Sequence, residues 1–315
     1  MAAIPHEIVE SLRRTSRLAD SDYGGHNLVD VSDITDPAKV FKIKSRLNNA
    51  EDVSFLPGDH LVVADKTNHV VRVFDEHGRY TKTVTSGCKP YGLDTNRSGM
   101  VIFVDHGDSR GKMIKVLNWE SGHMFSQWGD EMSWNPRGLC MNNKGQIVVT
   151  NVDKLKHEVG VYTIDGKLVT KFGSLGSGAR EFTNPNYVHV DVYDRILVSD
   201  QGNNSIKLFD DRSGNKLLGE IGRSKGTPEG NLSQPRGVTS DSKGNIFVAD
   251  TGNNRVCLYS AEGDYIRTLL NKDDFLHYPY GIAFNRQTGR LAVTQHNKKS
   301  SGASFRKINV YSLLK

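Results

Sequence analysis

Six segments of the chain open on a proline or its stand-in, and the residues flanking that position are suited to reading unpaired bases. The flanking pairs are Asn49 and Glu51, Lys89 and Tyr91, Asn135 and Arg137, Asn184 and Asn186, Gln234 and Arg236, and Tyr278 and Tyr280. Glu51 is the one acid among them; the others are amides, aromatics or cations. Amides and guanidinium groups hydrogen-bond base edges, and a tyrosine face stacks on a base for about 1–3 kcal/mol. Lysine and arginine neutralise phosphates. A second set follows an apolar run in each unit: Lys66, Asn68, His106, Asn151, Gln201, Asn203, Thr251, Asn253 and His296. Lys144, Lys243, Lys298 and Lys299 add cations that a rim could use.

Each of these residues also has a plainer reading. Asp65, Asp105, Asp200 and Asp250 close the apolar runs and are expected to be architectural, accepting backbone N–H bonds in the turn that follows. Asn203-Asn204 and Asn253-Asn254 suit left-handed turn conformations as well as they suit a ligand. Arg137 and Arg236 can solvate a channel mouth, and Tyr278 and Tyr280 can pack half-buried.

The elements that must position these side chains come from an internal repeat. Pro-x-Gly-apolar recurs at Pro90-Tyr91-Gly92-Leu93, Pro136-Arg137-Gly138-Leu139, Pro235-Arg236-Gly237-Val238 and Pro279-Tyr280-Gly281-Ile282. Pro185-Asn186-Tyr187-Val188 and Ala50-Glu51-Asp52-Val53 are degenerate copies. The apolar run that follows each opening ends at Asp65, Asp105, Asn151, Asp200, Asp250 or Gln295, with glycine turns in phase. Runs such as Ile246-Phe247-Val248-Ala249 are too short for helices, so each unit reads as four short strands. The pattern predicts an all-β fold, a six-bladed β-propeller of four-stranded antiparallel blades. The last unit lacks a fourth strand. The spare segment Lys39–Lys44 is expected to complete it and close the ring, with Phe41 and Ile43 against Ile308–Ser312. The propeller is placed at residues 37–315. Residues 1–36 are read as a linker or a short helix after Pro5.

Composition narrows the class. The chain has 315 residues, 37% hydrophobic and 24% charged, with a net charge of +5. No apolar stretch approaches the roughly 18 residues of a membrane span. Three separated cysteines, Cys88, Cys140 and Cys257, form no CxxC pair and suggest neither disulfide framework nor zinc site. Of the histidines, His106 and His296 share a blade position, which leaves a catalytic zinc without a third ligand. Glu51 among asparagines is a faint echo of a calcium site, and no Gly-x-Ser-x-Gly elbow is present. The expectation is a non-enzymatic protein without cofactor or metal, in the cytoplasm.

These blades resemble NHL repeats. Gln234-Pro235-Arg236-Gly237-Val238 and Ile246-Phe247-Val248-Ala249-Asp250-Thr251-Gly252-Asn253-Asn254-Arg255-Val256 carry the resemblance. A six-bladed ring closed by strand exchange looks most like the TRIM-NHL proteins. That resemblance implies binding of single-stranded, often U-rich, RNA on the top face by the two residue sets above, in post-transcriptional repression of messengers. It also implies that any ubiquitin-ligase activity resides in other segments. Implied partners are single-stranded RNA and protein co-repressors, not DNA or membrane, with a monomeric propeller. The alternative is a protein-interaction scaffold without RNA.

Overall fold

The computed structural model describes residues 34, 36–43, 47–96, 98–129, 134–211, 216–222, 228–298 and 304–313. The strands arrange in six four-stranded antiparallel sheets plus one short two-stranded pair. Blade 1 comprises β2 (Ala50–Phe55), β3 (Leu61–Asp65), β4 (Val70–Phe74) and β5 (Tyr80–Ser86). Blade 2 comprises β6 (Pro90–Thr95), β7 (Met100–Asp105), β8 (Ile114–Asn118) and β9 (Met124–Trp128). Blade 3 comprises β10 (Pro136–Met141), β11 (Ile147–Val152), β12 (His157–Tyr162) and β13 (Leu168–Phe172). A parallel pair, β14 (Ser174–Leu175) and β15 (Glu181–Phe182), follows.

Blade 4 comprises β16 (Pro185–Val190), β17 (Arg195–Asp200), β18 (Ser205–Asp210) and β19 (Lys216–Ile221). Blade 5 comprises β20 (Val238–Ser240), β21 (Ile246–Asp250), β22 (Arg255–Tyr259) and β23 (Tyr265–Leu270). Blade 6 has β24 (Pro279–Asn285), β25 (Arg290–Lys298) and β26 (Ser304–Ser312), and takes its fourth strand from β1 (Ala38–Ile43). Phe41 lies opposite Val310 and Ile43 opposite Ile308, so the ring closes as the missing strand predicted. Closure removes the edge that an open blade would expose. The proposed linker or helix before residue 34 lies outside the described residues. Ile34 is buried against blades 5 and 6, and Asp36 pairs with Arg267 at 2.9 Å.

The core lies in wedges between neighbouring blades. Val62, Ala64, Val71 and Val73 of blade 1, for example, pack on Leu93, Val101, Phe103 and Leu117 of blade 2. Two-sided burial explains why the second and third strands are short unbroken apolar runs rather than alternating ones. Cys140 and Cys257 are buried thiols within these wedges, and Cys88 is buried near the blade 1–2 junction. Among the described residues, no helix is long and apolar enough to cross a membrane.

Around the axis the first strands crowd together, which gives the Pro-x-Gly glycine its reason. A Cβ on Gly92 would sit 2.5 Å from the Arg137 carbonyl oxygen, on Gly138 2.7 Å from that of Asn186, and on Gly237 2.5 Å from that of Tyr280. A Cβ on Gly281 would sit 2.4 Å from an Asp52 carboxylate oxygen. The obstacles are mostly backbone and cannot move aside. Gly237→Ala is therefore expected to cost about 1–3 kcal/mol of stability as an overpacking substitution. Urea denaturation measures it, and an unchanged midpoint would refute the crowding argument.

Candidate nucleic-acid interface

A side-chain acceptor at the end of each second strand clips down the chain entering the first strand of the same blade. Asp65 Oδ1 accepts from Asn49 N at 3.0 Å, Asp105 Oδ1 from Lys89 N at 2.8 Å, and Asn151 Oδ1 from Asn135 N at 2.8 Å. Asp200 Oδ1 accepts from Thr183 N at 2.6 Å, Asp250 Oδ1 from Ser233 N at 2.7 Å, and Gln295 Oε1 from His277 N at 3.2 Å. These donors lie 16 to 18 residues upstream. The expected partners were in the following turn, where only Gly107 N donates, to Asp105 at 2.8 Å. The difference is geometric. The antiparallel hairpin brings the end of the second strand beside the start of the first, while the next turn heads away.

The pairing register slips within or beside the Pro-x-Gly segment in five blades, at Ala50/Asp52, Pro90/Leu93, Pro136/Leu139, Pro185/Tyr187 and Pro279/Ile282. A slip of this kind re-aims a side chain. The residues after the proline position thereby converge from distant parts of the chain. The Tyr91 and Tyr280 hydroxyls are 3.1 Å apart across 189 residues of sequence. Tyr91 Oη donates to Asn186 Oδ1 at 3.5 Å. Arg236 lies 4.0 Å from the Tyr280 ring centre and donates to its hydroxyl. Arg137 lies 5.3 Å and Lys66 4.8 Å from the Tyr91 ring centre. Glu51 is flanked by Lys66 at 3.6 Å and His296 at 4.0 Å, and takes a hydrogen bond from Asn49 Nδ2 at 3.0 Å.

The two aromatic pairs differ in availability. Tyr280 stacks on His296 at 4.0 Å and Tyr91 on His106 at 5.4 Å. Tyr91 is buried, and burial pushes the Tyr280 hydroxyl well above its ordinary pKa. Tyr278 is 45% exposed, so it is the tyrosine with a face open to solvent. Burial also keeps the His106 pKa below its usual value, with Nε2 hydrogen-bonded to the Pro136 carbonyl at 2.7 Å. Lys89 and Gln234 are exposed, and Arg137 and Arg236 half-buried.

Other candidates are engaged within the fold. Asn68, Asn203 and Asn253 donate to Asp65, Asp200 and Asp250 at 2.7, 2.7 and 2.8 Å. Gln201 Oε1 accepts from both Asn184 and Asn186 at 2.8 Å. Thr251 donates to the Pro279 carbonyl at 2.6 Å, Asn135 Nδ2 to that of Val152 at 2.8 Å, and Asn151 Nδ2 to Glu158 at 3.5 Å. Asn184, Gln234 and Tyr278 have φ of 58°, 49° and 42°, so the residue before the proline holds a left-handed turn in three blades. Asn204 and Asn254 are likewise left-handed.

The rim lysines need correction. Lys144 and Lys243 occupy the turns between first and second strands, at the opposite end of the blades from the proline positions. Hairpin alternation places them on the other face, where Lys144 pairs with Asp211 at 3.1 Å. Lys298 ends β25 on the proline side, and Lys299 lies outside the described residues. The sequence reading missed exposed Lys154-Leu155-Lys156 in the β11–β12 loop on the proline side. Its signal was available: blade 3 replaces the Gly-Asn-Asn turn with two lysines around a leucine. Among the described residues, no cluster of three or more His, Cys, Asp or Glu side chains is arranged to hold a metal ion.

The fold is a six-bladed β-propeller of repeated four-stranded units, and part of it matches a known repeat family. The NHL repeat family model matches residues 232–259. The chain is 28% identical to E3 ubiquitin-protein ligase NHLRC1 of Homo sapiens, over 60% of this chain and 46% of that protein. It is 27% identical to Protein brain tumor of Drosophila melanogaster, over 36% of this chain and 11% of that protein. The chain thus spans less than half the length of these relatives. A solved structure titled as a putative gluconolactonase superposes with a TM-score of 0.64 over 91% of this chain and 96% of that one, at 15% identity. A streptogramin B lyase superposes at 0.59 over 87% of each chain, also at 15% identity. Those two likenesses show the fold alone.

Further along the first strands, His189 Nε2 is hydrogen-bonded to Ser240 Oγ at 2.9 Å, and burial lowers its pKa to about 3. The native state therefore binds fewer protons than the unfolded chain between about pH 6.5 and 3, and the stabilising contribution of His189 is lost as pH falls through that window. Asp94, raised to about 6 by burial, carries the opposite sign. Relative to His189→Gln, the wild-type protein is expected to lose stability as pH drops from 6.5 to 4. Urea midpoints across that range check it; a stability difference independent of pH would refute it.

Proposed function

We propose that the proline-side face of the propeller binds single-stranded RNA, U-rich segments in particular, and acts in post-transcriptional repression in the cytoplasm. One observation carries this reading. Lys89, Arg137 and Arg236 lie at the proline ends of first strands without an acidic partner among the described residues, while three of the four aspartates that close the second strands are matched by cations. Asp65, Asp200 and Asp250 meet Arg72, Lys207 and Arg255 at 2.9, 3.1 and 2.7 Å. The face thus offers cations to phosphates with Tyr278 beside them for stacking. Lys154 and Lys156 extend the cationic face over blade 3. The resemblance to TRIM-NHL propellers points the same way. No catalytic step is assigned to the propeller, and ligase chemistry of the kind named for its relatives would belong to other segments.

A second reading, recruitment of protein co-repressors, is favoured by a different surface. Met124, Phe125, Leu168 and Val169 expose apolar side chains on the outer strands of blades 2 and 3. Such a patch on an edge strand suits protein contact.

Fluorescence anisotropy with a U-rich oligonucleotide separates the two. Arg137→Ala with Arg236→Ala is expected to weaken binding and to lower the salt slope by about 0.7 per lost phosphate contact. Tyr278→Ala should cost about 1–3 kcal/mol with the slope unchanged. A wild-type propeller that binds no single-stranded RNA near physiological salt would refute the nucleic-acid reading and favour the scaffold.

A further inference from the structure

Blade 2 breaks the repeat at one position. In blades 1, 4 and 5, Oδ2 of the landmark aspartate takes an amide from the asparagine three residues on and a cation from the third strand. In blade 2 the residue three beyond Asp105 is Asp108. Lys115 lies opposite Phe103, two residues before the landmark, as Arg72 lies opposite Val63 and Lys207 opposite Val198. Yet Lys115, itself buried, pairs with Asp108 and donates to Gln127 Oε1 at 2.9 Å. Asp105 retains two backbone amides on Oδ1. Among the described residues no side chain takes the place of the missing asparagine and cation on its Oδ2.

A cleft of about 290 Å³ opens there, between the end of β5 and blade 2. Asp105, Asp108 and Lys115 line it, with Phe103 and Met124 as apolar walls. It adjoins the RNA face, because Gly107 in its wall packs on Lys89, where a Cβ would meet the Lys89 nitrogen at 2.9 Å. Pockets for small ligands begin at roughly 300 Å³, so the space suits a single base rather than a longer segment.

We propose that this cleft receives one guanine of the bound strand, an assignment that rests on the RNA reading above. Carboxylates only accept hydrogen bonds, whereas Lys115 only donates. A matching edge carries adjacent donors with an acceptor beside them. Guanine presents N1–H and N2–H for Asp105 and O6 for Lys115. Uracil places its single N3–H between two carbonyls, one of which would face a carboxylate. Adenine and cytosine present a ring-nitrogen acceptor beside their amino group. Bases outside a duplex are read on these edges.

The test uses U-rich oligonucleotides carrying one guanine at successive positions, compared with inosine and adenine at the same positions. The wild-type protein is expected to prefer guanine to inosine at one position by roughly 5- to 100-fold. Asp108→Asn restores the asparagine of blades 1, 4 and 5, so its side chain can brace Asp105. It should erase the preference while leaving all-U binding unchanged. Met124→Trp, which fills the cleft from a partly exposed position, should do the same. Binding of all-U RNA without a guanine preference at any position overturns the cleft assignment and leaves the RNA reading standing. A preference that survives both substitutions also overturns it. Absence of all RNA binding overturns both.

Discussion

The hydrogen bond from the end of each second strand to the chain entering the first strand organises the molecule. It buries a strong acceptor against a backbone N–H that would otherwise be orphaned at a loop, a loss of about 1–3 kcal/mol per site. The acceptor is a carboxylate in four blades and an amide in two, Asn151 and Gln295, so hydrogen-bond geometry is what the ring requires and charge is incidental. Blade 3 shows this most clearly. Where Asn151 replaces the aspartate, the third-strand partner is Glu158 rather than a cation. Where the acid is present, burial still pushes Asp200 and Asp250 above the ordinary carboxylate range despite their cations.

That clip sets the height of the first strand, and axial crowding sets what can stand beside it. Four blades present glycine after the convergent residue because the neighbouring backbone fills the space. Blades 1 and 4, opposite each other in the ring, have Asp52 and Tyr187 instead. Tyr187 reaches across to donate to the Glu51 carbonyl at 2.8 Å, beside the Tyr91–Tyr280 contact. Phenol rings thus occupy the axis at this level. A ligand meets a face studded with side chains around a plug, which suits an extended strand laid over several blades better than a small molecule held in a tunnel.

The fold was legible because each of its signals is periodic. The proline, the closing acceptor and the turn glycines repeat in phase, and the absent fourth strand of the last unit pointed to Phe41 and Ile43. The site was legible as a set of phases but not as a set of available side chains. Phase placed Tyr91, Tyr280, Asn203 and Asn253 together at the proline end of the blades. It could not reveal that these side chains are already engaged, because an asparagine three residues after an aspartate suits a free turn as well as a brace, and the stacked histidines come 15 or 16 residues after their tyrosines. Lys144 and Lys243 were misplaced for a simpler reason: a glycine turn marks a hairpin end without saying which end faces the proline. The substitution of Asp108 for asparagine was visible in the sequence, yet it gains meaning only once Asn68, Asn203 and Asn253 are seen to perform one task.

The same interactions explain why a chain of modest net charge, +5 over 315 residues, can present a cationic face. Overall charge is a poor guide when acids and bases are sorted by depth. In this ring four acids sit at the ends of second strands, where backbone amides hold all of them and third-strand cations hold Asp65, Asp200 and Asp250. Glu51, the acid among the convergent residues, is enclosed by Asn49, Lys66 and His296. Arginines at the convergent position have no such counterpart and tilt over tyrosine rings instead, a contact that leaves the charge in place while fixing its direction. Propellers of similar shape include a streptogramin B lyase at 15% identity to this chain, so shape alone decides nothing about chemistry. What differs is the set of residues that the axis collects. Here it collects guanidinium groups, phenols and amides, with the imidazoles of His106 and His296 stacked on tyrosines and Glu51 enclosed among them.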